Sequence, residues 1–166
     1  MTLATHGVVG SLVAQSLAWN PFLAIPIAFL SHFVLDAIPH WDYQLHSVSG
    51  DYNDSMTWKF SYGVSFISDC LKVGIDFIIG VGLSLVAFKI LGQELSWVGW
   101  LGLLVAVFPD FFHFIYSHFP NKAINLLQRF HKFVHSKRRI EGSPVFGISL
   151  QGLLIFGFVV VFSFIL

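Results

Sequence analysis

Five long apolar stretches constrain what this chain can fold into more than any other feature of its sequence. They cover residues 3–18, 21–38, 62–91, 96–118 and 145–166. A helix needs about 20 apolar residues to cross the hydrocarbon core of a bilayer, so the first two stretches are short and the third is long enough to tilt. The pattern predicts an all-α integral membrane bundle of about five transmembrane helices, and leaves open whether the first two cross fully or form a re-entrant hairpin.

The composition supports this prediction. Hydrophobic residues make up 55% of the chain and charged residues only 11%, whereas soluble proteins carry roughly 25% charged residues. No repeat or linker divides the sequence, so we expect one domain over residues 1–166. Its tryptophans lie near the predicted span ends, where an interfacial aromatic belt forms; they are Trp19, Trp41, Trp58, Trp97 and Trp100.

The basic residues predict an orientation. Six of the nine lie between the last two apolar stretches, and the positive-inside rule makes that loop cytoplasmic. The N-terminus would then be cytoplasmic and the C-terminus outside, in a multi-pass protein of the cell (inner or plasma) membrane. His6 in the first stretch favours a mature span over a removed signal peptide. Residues 121–136 have the pattern of an interfacial amphipathic helix that contacts membrane lipids.

Histidines and aspartates converge on the cytoplasmic side of this topology. Ionisable residues are costly inside a bilayer, so those that remain are candidates for function. Imidazole and carboxylate donors suit a divalent metal, with Zn expected first and Mn or Fe as alternatives. A single cysteine excludes a Cys-rich metal site, and the zero net charge gives no argument for nucleic acid. The candidate metal ligands are His6, His32, Asp36, His40, Asp110, His113, His131 and His135.

Spacing strengthens two parts of this set. His32 and Asp36 are four residues apart and share a helix face, while Pro39 ends the helix so that His40 and Asp42 can fold back. The alternative is a hydrogen-bonded pair that closes the helix end. Asp110 and His113 also share a face, and the alternative there is a buried pair in a proline-kinked helix.

Asp69 and Asp42 are the candidate catalytic residues, each able to accept a proton. Asp69 lies on one stripe with Lys72 and Asp76, so a self-neutralising ion triad is the alternative. A basic run stands where a phosphate headgroup would approach a cytoplasmic site, although retention by the positive-inside rule also explains it. This run, the candidate substrate-binding group, is Lys137, Arg138 and Arg139.

Four motifs carry a resemblance to known families: Thr5-His6, His32/Asp36/His40, Pro109-Asp110 with His113, and His131…His135-Ser136. Together they resemble the predicted integral-membrane metal-dependent hydrolases, and the second also resembles the zinc-dependent phospholipase C group. The resemblance implies a membrane-embedded hydrolase with His/Asp-bound metal, and we expect a phosphoester lipid or its headgroup as substrate. A non-catalytic scaffold with a structural metal site is the alternative, and a metal or proton transporter is disfavoured because the outer half has few ionisable groups.

Overall fold

The structure is a computed structural model that describes residues 1–51, 54–136, 140 and 143–166. The described chain is a helical bundle, which confirms the predicted fold class. A two-stranded antiparallel ribbon, β1 (Val48–Ser49) and β2 (Lys59–Phe60), and a 3-10 turn at Ser55–Thr57 precede the third helix. The α-helices are α1 (Leu3–Ser16), α2 (Pro21–Asp36), α3 (Val64–Ile90), α4 (Trp97–His118), α5 (Lys122–Val134) and α6 (Pro144–Phe162).

Helix α1 occupies the centre of the bundle and packs against α2, α3, α4 and α6. Its contact with α4 depends on small residues on both helices. A Cβ added to Gly10 would lie 2.2 Å from the Cβ of Ala106, and one added to Gly102 would lie 2.2 Å from the Cβ of Ala14. Small residues four apart let two backbones approach closely, which is how membrane helices gain packing energy without a hydrophobic driving force.

Three helices, α3, α4 and α6, are long and apolar enough to cross a membrane. Their outward faces carry large exposed apolar side chains such as Ile78 and Phe156, which suit a lipid surround. Helices α1 and α2 have 14 and 16 residues and are therefore about 21 and 24 Å long. Both are shorter than the hydrocarbon core of about 30 Å, so the five crossings expected from the sequence stay a prediction.

The amphipathic helix predicted at 121–136 is present as α5, and its polar edge faces the bundle. Gln128 and His131 are buried, whereas the apolar side chains of Leu126, Phe130 and Phe133 are exposed. Helix α5 contacts α2 and α4. The exposed part of α5 thus combines apolar side chains with the basic Arg129 and Lys132, as at a membrane interface, while its buried residues are polar.

Candidate metal centre

Asp36, the last residue of α2, lies at the centre of the histidine cluster and is almost fully buried. Its Oδ2 is 2.9 Å from Nε2 of His131 and 3.1 Å from Nε2 of His32. Its Oδ1 is 3.2 Å from Nε2 of His6 and 3.8 Å from Nε2 of His40. One carboxylate therefore joins imidazoles from α1, α2, α5 and the segment after α2.

Backbone carbonyls fix the tautomers of three histidines of the cluster, which are His32, His40 and the neighbouring His135. Nδ1 of His32 donates to the carbonyl of Ala106 at 2.8 Å, and Nδ1 of His40 donates to that of Ile38 at 2.7 Å. Nδ1 of His135 donates to the carbonyl of Ser136 at 3.1 Å. A carbonyl only accepts, so each neutral ring keeps its lone pair on Nε2. Such second-shell bonds orient histidine ligands in metal sites.

Two sets of donor atoms lie close enough together to hold a metal ion, and they share Asp36. Within each set the donor atoms are all within 4.8 Å of one another. The first set is His32, Asp36, Asp110 and His131, and the second set is Asp36, His40 and His135.

The contact between His32 and Asp36 tests whether a cation fits the first set. Since Nδ1 of His32 carries a proton, its Nε2 presents a lone pair to the carboxylate oxygen 3.1 Å away. Asp110 adds a second carboxylate, with Oδ1 3.6 Å from the same Nε2. Acceptors that face one another in a buried site repel. Either a second proton on His32 or a shared metal cation resolves the repulsion, and the mixed N/O donors fit Zn, Mn or Fe.

His6 and His113 lie beside the two sets and stack on their members. The ring of His6 stacks on that of His32 at a centroid distance of 3.9 Å, and His113 stacks on His131 at 4.8 Å. Within the part of the chain that the structure describes, both nitrogens of His6 and Nδ1 of His113 are buried without a hydrogen-bond partner. All eight predicted ligands therefore meet in one cluster, six of them within the donor sets, and the cluster contains unused nitrogen donors.

The segment after α5 is joined to the end of α2 by two backbone hydrogen bonds. The amide of Ser136 donates to the carbonyl of Asp36 at 2.7 Å, and that of Ile140 donates to the carbonyl of His40 at 3.1 Å. These bonds hold His135 next to His40, with ring centroids 5.0 Å apart. The second set therefore depends on tertiary contacts between two segments that are far apart in sequence.

The two candidate catalytic aspartates have different surroundings. Asp69 accepts from the amide of Ser47 at 2.7 Å and from Nζ of Lys72 at 3.0 Å, so both of its oxygens are engaged. Asp42 accepts from the amide of Tyr43, and its side chain is 32% exposed. The candidate substrate-binding residues Lys137, Arg138 and Arg139 lie outside the described residues.

The ammonium group of Met1 contacts the Oδ1 side of Asp36. It lies 2.9 Å from this oxygen and 2.7 Å from Nε2 of His40. Burial opposes its charge, but Asp36, Asp42 and Asp110 outweigh burial and raise the pKa of the amino group to about 10. Burial, followed by the Met1 ammonium, lowers the pKa of His40 to about 3. Burial raises the pKa of Asp42 to about 6.

A cavity of about 1200 Å³ adjoins the cluster. Asp42, Asp110, His131 and His135 line its polar part. Its remaining walls are mainly apolar and come largely from α3 and α4, which both pack on α1. Candidate metal ligands and a larger set of apolar side chains therefore line the same cavity. Side chains that form the apolar walls include Phe66, Val73, Phe77, Leu104, Phe108 and Phe114.

Two features of this region were not predicted from the sequence. Gln128 is fully buried near His131 on α5, with neither atom of its amide group hydrogen-bonded within the described residues. Its position three residues before His131 was the available signal. Asp76 accepts from the amides of Leu3 and Ala4 at 2.7 and 3.2 Å and so caps α1. Of the ion triad considered as the alternative, the described residues therefore form the Asp69–Lys72 pair, and Asp76 instead contacts α1.

Comparisons of the chain with protein-family models, with curated proteins and with solved structures found no match. The function must therefore be argued from the cluster and the cavity themselves.

Proposed function

We propose that this protein is a membrane-embedded, metal-dependent hydrolase that acts on a phosphoester lipid or its headgroup at the cytoplasmic leaflet. One observation carries the proposal: Asp110 and His131, two members of the donor set around Asp36, line a large cavity whose other walls are mainly apolar. A structural metal site needs no such chamber, whereas an enzyme for an amphipathic substrate needs a polar reaction centre beside an apolar binding space.

The donor set would hold a divalent cation, most suitably Zn, through His32, Asp36, Asp110 and His131. When bound, such a cation lowers the pKa of a coordinated water and polarises a phosphoryl oxygen. The backbone carbonyl of Ala106 keeps the His32 ring in the ligand orientation. The rings of His113 and Trp58, tilted by 48° with centroids 5.2 Å apart, help to exclude water from the side of the cluster nearest α4.

Asp42 is the better candidate of the two aspartates to accept a proton from water. Its carboxylate lines the cavity and is partly accessible, and Oδ2 lies 3.8 Å from the Met1 nitrogen. Asp69 also lines the cavity, but its oxygens already accept from Ser47 and Lys72. A general base must reach the proton that it removes, and geometry favours Asp42 on that ground.

The proposal includes a location in the cell membrane with the cluster on the cytoplasmic side. Three apolar helices support a membrane protein, and the basic residues between α4 and α6 support the orientation. The test places one cysteine at exposed Gln44, in a Cys70→Ser background, and labels intact and opened cells with a membrane-impermeant maleimide. Labelling only after opening is expected, and labelling of intact cells would overturn this orientation.

The activity test uses the protein purified in detergent without chelators and loaded with Zn. Mixed micelles of phosphatidylcholine, phosphatidylethanolamine, phosphatidylglycerol and phosphatidic acid are presented, and release of water-soluble headgroup or phosphate is measured. We expect release by the wild type, a loss of at least about 100-fold in Asp36→Asn and His131→Ala, and loss on chelation.

His46→Ala is the matched control because it also removes one imidazole, from an exposed position outside both donor sets. It should keep wild-type activity. A Zn-loaded wild type that cleaves none of these lipids would favour the non-catalytic scaffold and overturn the proposal. Cleavage that persists in Asp36→Asn would also overturn it.

A further inference from the structure

The carboxylate of Asp36 has different partners on its two oxygens. Oδ2 faces His131 and His32, at 2.9 and 3.1 Å. Oδ1 faces His6 and His40, at 3.2 and 3.8 Å. Because each oxygen faces a different pair of imidazoles, the carboxylate is placed to bridge two cations, one on each oxygen.

The Oδ1 side has the features of a separate cation site. His40 and His135 each donate Nδ1–H to a backbone carbonyl, so both rings offer Nε2 as the donor atom. Nδ1 of His6, which is fully buried, has no hydrogen-bond partner among the described residues, and its Nε2 lies 3.2 Å from Oδ1 of Asp36 without hydrogen-bond geometry. A buried imidazole without partners carries the full desolvation cost of its polar atoms, and a ligand on this side would remove that cost.

Charge gives an independent argument for this side. The positively charged ammonium group of Met1 lies 2.9 Å from Oδ1 of Asp36 and 2.7 Å from Nε2 of His40. Asp42 adds a carboxylate oxygen 3.8 Å from the same nitrogen. The oxygens of Asp36 and Asp42 and the nitrogen of His40 therefore already stabilise a positive charge on the Oδ1 side of Asp36. A divalent cation that bound there would displace the ammonium group.

We propose that the cluster is a two-cation centre in which Asp36 bridges two divalent ions. Oδ2 belongs to the ion held by His32, Asp110 and His131, and Oδ1 belongs to a second ion held by His40 and His135, with His6 beside it. The inference rests on the proposed function only in that the first set binds a metal. Two-metal sites in general hold their ions about 3.5–4 Å apart, and such a pair would supply stabilisation of the attacking and leaving oxygens of a displacement.

The experiment measures metal content and metal–metal coupling rather than activity. The full chain is purified in detergent, stripped with a chelator and titrated with Zn²⁺, and bound metal is counted by mass spectrometry after removal of free ions. A second sample is loaded with Mn²⁺ for electron paramagnetic resonance, because two Mn²⁺ ions a few ångströms apart give exchange-coupled spectra. We expect two ions per chain, bound in two steps, and a coupled Mn²⁺ signal.

The variants assign each ion to its side. His135→Ala and His40→Ala are expected to keep one ion and to lose the coupled signal, and His131→Ala is expected to lose the other ion. His46→Ala, the matched control, should keep two. The conservative His135→Gln accompanies His135→Ala, and the wild-type count and spectrum decide the question if either variant fails to fold.

Two results would overturn the two-cation centre: one ion per chain at saturation, or an unchanged count in both His40→Ala and His135→Ala. One ion together with lipid cleavage would overturn this inference and leave the proposed hydrolase standing. Two coupled ions without cleavage of any presented lipid would support this inference and count against the hydrolase.

Discussion

Nε2 of His32 and Nε2 of His131 lie 3.3 Å apart, on helices α2 and α5, and both face the same oxygen of Asp36. Two imidazole nitrogens this close to one carboxylate oxygen are separated in the chain by 99 residues. They are held together by helix packing, with Phe33 and Phe130 in edge contact beside them. A positive charge is needed between Nε2 of His32 and the carboxylate of Asp36, supplied either by a proton or by a metal ion.

Metal loading should stabilise the fold through this contact. Zn²⁺ at about 100 times its dissociation constant is expected to add about 2.7 kcal/mol to the free energy of unfolding, seen as a higher melting temperature in detergent. In His131→Ala the gain should fall sharply, whereas His46→Ala should keep it. An equal melting temperature with and without Zn²⁺ in the wild type would mean that protonated histidine, rather than metal, supplies the charge.

The close approach of α1 and α4 should make Gly10→Val strongly destabilising. Even the first added carbon would lie 2.2 Å from the Cβ of Ala106 and 2.7 Å from the carbonyl oxygen of Gly102. Overpacking costs about 1–3 kcal/mol where side chains can move, and we expect at least the upper value here because backbone blocks the space. Thermal or denaturant unfolding in detergent measures the change.

Gly82→Ala is the control for that substitution. Its added carbon would meet nothing within 4 Å, and alanine is the better helix former by about 0.5–1 kcal/mol. Gly82→Ala should therefore unfold at or above the wild-type temperature. Wild-type stability of Gly10→Val would contradict the packing of α1 on α4.

Asp76→Ala should destabilise the protein without removing metal. The carboxylate accepts from the amides of Leu3 and Ala4 at the start of α1, where a negative charge is favourable. Loss of such a cap costs about 0.5–2 kcal/mol. Asp76→Asn keeps an acceptor oxygen but loses the charge, so its free energy of unfolding should lie between those of the wild type and Asp76→Ala. Loss of bound metal in Asp76→Asn at unchanged stability would instead place Asp76 in the metal centre.

Asp42→Asn and Asp69→Asn should separate catalysis from structure. If Asp42 accepts the proton, its replacement lowers kcat by about 100-fold or more and leaves metal content unchanged. Asp69→Asn should lower kcat by less than about 10-fold and reduce the melting temperature, because it breaks the contact with Lys72. The reverse ranking of the two kcat values would make Asp69 the proton acceptor.

Cys70 offers a direct test of the cavity as the substrate chamber. It is exposed, lines the cavity and lies next to Asp69 on α3. A long-chain alkyl maleimide attached to Cys70 should fill the apolar space and lower lipid hydrolysis by at least about 10-fold, and substrate micelles should slow the labelling. Cys70→Ser should be active and insensitive to the reagent. Unchanged hydrolysis after complete labelling would show that lipid does not enter there.

Much of the cluster could be predicted from sequence because helical spacing and the order of the apolar stretches can both be read directly along the chain. Four-residue spacing places His32 and Asp36 on one face, and Pro39 ends α2 so that His40 turns back. Assigning the ends of the apolar stretches to one leaflet then brought Asp110, His131 and the rest together. The structure places all of the predicted ligands in one cluster, while their binding of metal stays a prediction.

The surroundings of the aspartates could not be predicted in the same way. Asp69 and Asp76 share a helix stripe, which favours an ion triad with Lys72, yet Asp76 turns to the start of α1 instead. That partner lies 73 residues away in the chain. No periodicity within α3 reports on a backbone amide of another helix. The inward position of Gln128 was hidden for the same reason, since it depends on which neighbours α5 meets.

The sequence by itself determined that the chain suits a lipid surround and that its secondary structure is helical. Lipid offers no hydrogen bonds to the backbone, so each long apolar stretch must pair its own backbone groups and forms a helix. It also determined which residue types could hold a metal. Only the tertiary structure decided which oxygen of Asp36 meets which histidine, and that both oxygens are used. The reason is physical, because these contacts join α1, α2, α5 and the segment after α5, and their distances follow from helix packing rather than from spacing along the chain.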